Sequence, residues 1–241
     1  MIITVMSNKG GVGKTTMATI IAELAFNHVS AGLKHEDVPT PVICAVDFDR
    51  QHDLVDNLTK VLEPSEPKPK IRKSNKKAQV KEEDFLKYIH VYAGKLAEFD
   101  RGTILQFDQD YRYVVIDTPP SMDTKDVETL AEISDAIVVP FITQDHAMRG
   151  MKNLMKILSG SIKKCITVHL RERGTVIEII KIWYQRFVEK YRPFIENTKA
   201  NFEITMYANV PKNLDRKDFF WKGLLGSSRT VYKDLWKKII E

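Results

Sequence analysis

The sequence is poor in cysteine and has no long apolar run, and each shortage excludes a class of protein. Its two cysteines, Cys44 and Cys165, are far apart, and no Cys-x-x-Cys pair or Cys/His cluster is present. A zinc or iron–sulfur site is therefore not expected, and the thiols are interpreted as reduced core side chains of a cytoplasmic protein. No apolar run approaches the ~20 residues that a membrane-spanning helix needs, and the first residues do not resemble a signal peptide.

Acidic residues are scarce in the last third of the chain. Residues 151–241 contain 19 Lys and Arg against nine Asp and Glu, whereas residues 1–150 contain 18 against 23. This excess of positive charge favours a polyanionic partner, either nucleic acid or anionic lipid. A solvated, lysine-rich surface is the alternative interpretation of the same composition.

A second basic stretch, residues 63–83, contains three prolines and almost no apolar residues. Such a segment cannot bury enough surface to order itself, so we predict a flexible basic loop. A basic arm that touches DNA or a partner protein is the alternative.

Short β-branched runs alternate with helical patterns along the chain. Strands are predicted at Ile2–Met6, Val42–Asp47, Tyr88–Ala93, Tyr113–Asp117 and Ala136–Pro140, with weaker candidates at Cys165–His169 and Phe202–Met206. Helices are predicted at Lys14–Ser30, Leu96–Phe107, Lys125–Ile133, Ala147–Leu158, Thr175–Tyr191 and Ser228–Ile240. Continuous apolar strands separated by helices are typical of an α/β fold with a mostly parallel twisted sheet and helices on both faces. A single domain over residues 1–241 is expected.

A glycine-rich loop between the first strand and the first helix is predicted to bind phosphate. The run SNKGGVGKTT (residues 7–16) ends as a G-x-x-x-x-G-K-[ST] loop does, with Asn8 in place of the first glycine. Glycines let backbone N–H groups surround a phosphate, and the helix N-terminus adds a positive dipole. Lys14 is assigned to the β- and γ-phosphates, Thr15 to Mg²⁺ and Thr16 to the region of the α-phosphate. The predicted nucleotide-binding residues are Gly10, Gly11, Val12, Gly13, Lys14, Thr15 and Thr16.

The same run resembles the deviant Walker A loop of the ParA/MinD family of ATPases, in which an early lysine is the signature residue. Lys9 occupies that place. The resemblance implies ATP and Mg²⁺ as cofactors and a homodimer that forms on ATP binding. It also implies that Lys9 reaches across the dimer interface to the other subunit's phosphates and acts there as a catalytic cation. A solvated lysine on the rim of the loop is the alternative.

Two more motifs are similar to those of the family. The run DFDRQ (residues 47–51) resembles its D-x-D-P-Q motif, with Arg50 in place of the proline, and DTPP (residues 117–120) resembles its D-T-P-P motif. The resemblance implies that Asp49 positions the attacking water, that Asp47 lies near the Mg²⁺ shell and that Asp117 holds Mg²⁺. Taken singly, an aspartate after an apolar strand is commonly a helix cap.

Two later segments extend the resemblance. Residues 140–150 are similar to the family segment that helps to form the dimer face. The run ANVPKN (residues 208–213) resembles the I-P-R-N stretch that lines the adenine pocket, which implies nucleotide contact at Pro211.

The resemblance implies a ParA-like ATPase of plasmid or chromosome partition, located on the nucleoid. It would bind non-specific DNA and be stimulated by a ParB-like centromere-binding protein. Candidate DNA contacts in the basic third of the chain are Lys212, Arg216, Lys217, Lys222 and Arg229.

Two alternatives stay open at this point. A MinD-like ATPase of the membrane surface would use the amphipathic tail Val231–Ile240, although a helix packed on the sheet explains the same apolar stripe and is favoured. A metabolic P-loop enzyme is the other alternative. An iron protein is opposed by the lack of suitably placed cysteines, and no second substrate motif indicates a kinase.

Overall fold

The computed structural model describes residues 1–30, 42–59, 88–142, 150, 153–154, 157–158, 164–171, 201–203, 210–211 and 227–241. The strands are β1 (Ile2–Val5), β2 (Ile43–Asp47), β3 (Ile89–Ala93), β4 (Tyr113–Asp117), β5 (Ala136–Phe141), β6 (Lys164–Arg171), β7 (Asn201–Glu203) and β8 (Val210–Pro211). The helices are α1 (Lys14–Ser30), α2 (Asp53–Thr59), α3 (Arg101–Asp110), α4 (Thr124–Ile133) and α5 (Ser227–Ile240), with a 3₁₀ turn at Leu96–Glu98.

The described strands form one parallel sheet in the order β3-β2-β4-β1-β5-β6-β7, and β8 pairs with β6. Strand β4 lies between β1 and β2, and Asp117 at its end is the register partner of both Val5 and Asp47. Three strands therefore end side by side, and the loops that follow them meet at one edge of the sheet. In open parallel sheets this edge is where ligands bind.

Alternate side chains of the strands enter two hydrophobic cores, one on each face of the sheet. Ile3 and Val115 belong to the core that α1, α2 and α5 cover. Their chain neighbours Ile2 and Val114 belong to the core that α3 and α4 cover. The predicted α/β fold, a parallel sheet with helices on both faces, is confirmed.

Both cysteines lie in this interior. Cys44 and Cys165 are free and buried, as the sequence indicated. Burial raises the pKa of Cys165 to about 12 and raises the pKa of Cys44 beyond the usual range of a thiol. Both thiols therefore stay protonated at neutral pH and act as small apolar side chains.

Helix α5 packs its apolar stripe against the body of the fold. Leu235, Trp236 and Ile239 are buried in the same core as α1, and the Trp236 ring lies 5.2 Å from that of Tyr113. These three apolar side chains are therefore occupied within the fold, which favours the packed-helix interpretation of the tail. Within the residues described, no helix is both long and apolar enough to cross a membrane.

The predicted helix over Leu96–Phe107 is wrong in its boundaries. A 3₁₀ turn covers Leu96–Glu98, and α3 begins only at Arg101. The reason is a cap: Asp100 has extended backbone, and its carboxylate accepts a hydrogen bond of 2.7 Å from the N–H of Thr103.

The remaining secondary-structure predictions are confirmed only in part. Helix α2 was not predicted, whereas the weak candidates at β6 and β7 are present. Residues 150, 153–154 and 157–158 are helical, within the predicted helix over residues 147–158. The predicted helix over residues 175–191 and the basic stretch over residues 63–83 lie outside the described residues. The single-domain prediction stays a prediction.

Candidate nucleotide-binding site

The glycine-rich loop joins β1 to α1 and depends on glycine at two points. Gly11 and Gly13 have φ angles of 71° and 87°, a region that other residues adopt only under strain. The carbonyl of Gly13 accepts a hydrogen bond of 2.9 Å from the N–H of Met17, so α1 begins at Lys14 as predicted. The positive end of the α1 dipole therefore lies at the loop, as a phosphate site requires.

Lys14 is held inside this loop. Its side chain is 6% exposed, and Nζ donates a hydrogen bond of 3.2 Å to the carbonyl of Lys9. Burial lowers the pKa of Lys14, and the carboxylates of Asp117 and Asp49 act against that shift. A bound phosphate would give this ammonium the anionic partner that a neutral carbonyl does not supply.

Asp117 ends β4 as a buried carboxylate with both oxygens unsatisfied. Its side chain is fully buried, and neither Oδ1 nor Oδ2 has a hydrogen-bond partner in the described part of the structure. The pKa of Asp117 is raised to about 7, chiefly by burial and also by Asp47, against a lowering by the approach of the Thr15 hydroxyl and by the Lys14 ammonium. A buried, unsatisfied carboxylate is costly, and a bound cation would remove that cost.

Asp47, on the neighbouring strand, is equally buried, but both of its carboxylate oxygens accept hydrogen bonds. Its Oδ1 accepts a hydrogen bond of 3.0 Å from the N–H of Asp49. Its Oδ2 accepts bonds of 2.9 and 3.1 Å from the N–H groups of Leu54 and Val55, in the first turn of α2. Burial raises the pKa of Asp47, and these backbone hydrogen bonds lower it. The side chain thus holds the loop after β2, while its place near Mg²⁺ stays a prediction.

The loop that Asp47 holds is a tight turn over residues 49–52. The Asp49 carboxylate accepts a hydrogen bond of 3.2 Å from the N–H of Gln51, and its carbonyl accepts one of 3.0 Å from His52. His52 has a φ of 49°, in the left-handed region. The turn places Asp49, Arg50 and Gln51 on the wall of one cavity.

This cavity has a volume of about 1040 Å³, at the upper end of the size range of small-molecule sites. It is lined by the glycine-rich loop, the turn after β2, parts of α1 and α2, the DTPP loop after β4, and residues 95–97, which no sequence motif had indicated. Lining residues outside the predicted motifs include Thr19, Asn57, Lys95, Leu96 and Ala97, whereas Pro119 and Pro120 belong to the predicted DTPP motif. Asn57 donates a hydrogen bond of 3.3 Å to the Thr19 hydroxyl, which joins α2 to α1 behind the loop.

The structure brings most of the predicted site together. The lining includes Gly10, Gly11, Gly13, Lys14, Thr15, Thr16 and Asp49. Val12 is buried beneath the loop, and Asp47 and Asp117 lie at the adjoining strand ends. Lys9 lies in the loop but does not line the cavity among the described residues.

The remaining predicted site residues stay predictions. Pro211 lies on β8 and pairs with Arg171 of β6, so its predicted nucleotide contact is untested. Arg229 lies in the first turn of α5. Lys212, Arg216, Lys217 and Lys222 lie outside the described residues.

A buried carboxylic acid lies one helical turn beyond the cavity wall. Glu23 follows Thr19 by one turn of α1, is 6% exposed, and has no hydrogen-bond partner for Oε2 in the described structure. Burial raises the pKa of Glu23 to about 8, and a side-chain hydrogen bond with Asn27 lowers it by less. The folded protein therefore keeps this side chain mostly protonated at neutral pH.

Replacing Glu23 with glutamine is expected to stabilise the protein at pH 8 by about 4 kcal/mol, since each pKa unit between 4.5 and about 8 is worth about 1.4 kcal/mol. The ordinary pKa of 4.5 is below the folded value of about 8, so the unfolded chain releases its proton first. Wild-type stability should then fall as pH rises between these values, and glutamine lacks that dependence. Urea denaturation at pH 5, 6.5 and 8 measures the difference. Glu128→Gln, at an exposed position of α4, is the control, and a pH-independent difference would contradict the assignment.

With this geometry established, comparison with known proteins identifies similar chains. A family model described as an AAA domain, AAA_31, matches residues 1–171. The chain is 27% identical to a ParA family protein of Mycoplasma pneumoniae, over 89% of both chains. It is 28% identical to the ParA family protein MG470 of Mycoplasma genitalium, over 89% of this chain and 90% of that one.

Solved structures share the fold. The cell division protein MinD of Aquifex aeolicus superposes with a TM-score of 0.61 at 17% identity, over 99% of this chain and 96% of that one. The pNOB8 ParA bound to nonspecific DNA gives 0.58 at 17% identity, over 99% and 96%. A putative plasmid partition protein of Borrelia burgdorferi bound to AMPPNP gives 0.56 at 15% identity, over 99% and 97%. At these identities the likeness concerns the fold alone.

Proposed function

The chain belongs to the AAA_31 family of ParA/MinD-type P-loop ATPases, and from that premise we propose that it is a ParA-like partition ATPase. ATP closes two subunits into a dimer, the dimer binds DNA without sequence preference, and a ParB-like partner triggers hydrolysis and release. The main support for nucleotide binding is that one site contains a buried lysine in a glycine-rich loop and an unsatisfied carboxylate at the adjoining strand end.

Each residue of the site has a part in hydrolysis. The loop N–H groups and Lys14 hold the β- and γ-phosphates, which neutralises charge that grows on the leaving group. Asp49 orients a water molecule toward the γ-phosphorus, on a turn that Asp47 holds in place. Lys9 of the facing subunit supplies a further positive charge. Its side chain lies outside the lining of its own cavity, which supports a role across the interface.

The residues present fit a magnesium ion. Both buried oxygens of Asp117 lack a hydrogen-bond partner, and the Thr15 hydroxyl is near enough to lower the pKa of that carboxyl group. Thr15 and Asp117 would hold the ion, the latter directly or through water. When bound, Mg²⁺ supplies positive charge beside the phosphates.

Partition is favoured over membrane positioning on two grounds. Both relatives named ParA are matched over 89% of this chain. Leu235, Trp236 and Ile239 of α5, which a membrane-surface helix would expose, are buried in the core that α1 also covers. DNA is therefore the preferred anionic surface, and binding at the nucleoid follows from it.

ATP with Mg²⁺ is expected to strengthen binding to non-specific duplex DNA at least tenfold relative to ADP. If the dimer neutralises several phosphates, the logarithm of the binding constant should fall linearly with the logarithm of salt concentration, by about 0.9 per contact. Fluorescence anisotropy with duplexes of two unrelated sequences measures both effects.

Vesicles of anionic lipid are the comparison surface for the same protein. Nucleotide-dependent binding to vesicles without binding to DNA would replace partition with a membrane role. Binding to neither surface, by protein that still hydrolyses ATP, would leave a P-loop ATPase outside both classes and reject the proposal.

A further inference from the structure

The turn after β2 carries a cation that the related motif lacks. Where the D-x-D-P-Q motif has proline, this chain has Arg50, directly after the aspartate proposed to orient water. The backbone here is fixed without proline, because Asp47 accepts hydrogen bonds from Asp49, Leu54 and Val55. Position 50 therefore does not need proline to hold the backbone, and a different side chain can occupy it.

Arg50 differs from the other cations of the cavity in its surroundings. Lys14 donates to the carbonyl of Lys9, and Lys95, which also lines the cavity, pairs with Glu98 at 3.1 Å. Arg50 lines the same cavity and is exposed, and within the described residues its guanidinium has no ion-pair partner. Among the described lining cations, Arg50 is the one that a bound anion would meet without first breaking an ion pair or hydrogen bond to another described residue.

The charge of the expected ligand makes such a cation useful. The site already contains three carboxylates, Asp47, Asp49 and Asp117, and two of them raise the pKa of the third. A triphosphate adds further negative charge, and in hydrolysis some of it moves onto the γ-phosphoryl oxygens and the leaving oxygen. A planar guanidinium with several N–H donors suits these oxygens better than an ammonium does.

We propose that Arg50 is a catalytic arginine supplied by the same chain, which contacts the γ-phosphoryl group during hydrolysis. The inference rests on the proposed ATPase function and adds a residue to it. Water adds to the γ-phosphorus as the bond to the bridging oxygen breaks, and ADP and phosphate leave with the proton of the water on phosphate. The contact that Arg50 makes strengthens as charge develops on the γ-phosphoryl group.

Arg50→Ala is expected to lower the single-turnover rate of ATP hydrolysis about 50-fold, less than the 10³–10⁵ of a fully ordered arginine finger. The dissociation constant of ADP should stay within about twofold, because the contact belongs to the transferring group. The affinity for ADP with aluminium fluoride, which mimics that group, should fall by about the same factor as the rate. Arg50→Lys should recover only part of both, since it restores the charge without the planar donors.

Arg101→Ala is the matched control, because it removes an exposed arginine of α3 that lies outside the cavity lining and pairs with Glu132. A rate for Arg50→Ala within threefold of the wild type would overturn the proposal. So would an equal loss of affinity for ADP alone and for ADP with aluminium fluoride, since it would indicate ordinary ground-state binding.

Failure of the proposed function and failure of the Arg50 assignment give different results. If the wild-type protein does not hydrolyse ATP, the proposed function fails. The aluminium fluoride complex still tests Arg50, because its affinity does not require turnover. If the wild type hydrolyses ATP and Arg50→Ala does so equally well, only the assignment of Arg50 fails.

Discussion

Asp49→Asn is expected to lower the rate of ATP hydrolysis by about 10³-fold while ATP binding is retained, the range that loss of a positioned general base produces. Asparagine keeps an oxygen that can accept the hydrogen bond now made by the N–H of Gln51, so the turn should persist. The change removes the negative charge that would orient the attacking water. Because the ATP-bound state would no longer decay, a dimer should accumulate. Single-turnover hydrolysis and sedimentation velocity with excess ATP measure the two effects.

Comparing Asp49→Ala with Asp49→Asn separates the effect of the negative charge from that of the turn over residues 49–52. Alanine removes both the negative charge and the oxygen that accepts the hydrogen bond of Gln51. If only the charge matters, the alanine and asparagine variants should hydrolyse ATP at the same rate. If the hydrogen bond matters as well, alanine should also loosen residues 49–52. Hydrogen exchange at Gln51 reports the turn independently of activity. A monomer in excess ATP for both variants, or hydrolysis near the wild-type rate, would remove Asp49 from the water-positioning role.

The features that the sequence predicted well are those with local physical causes. Helix α1 starts at Lys14 because the glycines before it have positive φ angles, which a right-handed helix cannot contain. The end of β4 at Asp117 follows from a run of β-branched residues that stops at a charge. The cap at Asp100 is also a local signal, because an aspartate at this position indicates that α3 starts at Arg101.

The features that the sequence did not predict depend on contacts between segments that are distant along the chain. Helix α2 is seven residues long, and its two buried leucines, Leu54 and Leu58, are too few to establish a helical period. The hydrogen bonds that Asp47 accepts from Leu54 and Val55 span seven and eight residues, so the motif alone did not indicate that this carboxylate anchors the loop. Lys95 reaches the cavity only because β3 pairs beside β2, which no local pattern reveals.

Lys9→Ala is expected to leave ATP binding nearly unchanged and to lower hydrolysis by more than 10²-fold, because a charge contributed by the facing subunit would be lost. The substitution is favourable for such a test, since Lys14 is held by the backbone carbonyl of Lys9, which alanine keeps. The cradle for the chain's own phosphates should therefore persist. Equilibrium binding of a fluorescent ATP analogue and single-turnover hydrolysis together separate the two roles.

Lys14→Ala is the contrasting variant, because it removes the buried ammonium of the same loop and should lose nucleotide affinity itself. If Lys9 acts across an interface, the rate of the wild-type protein should depend on protein concentration, whereas the low rate of Lys9→Ala should not. Lys9→Arg should keep part of that dependence, since it retains a charge of similar reach. A concentration-independent wild-type rate, with Lys9→Ala fully active, would place Lys9 among the solvated lysines of the loop rim. The distinction between a deviant and an ordinary phosphate loop depends on this side chain, because the remaining contacts of the loop serve its own nucleotide.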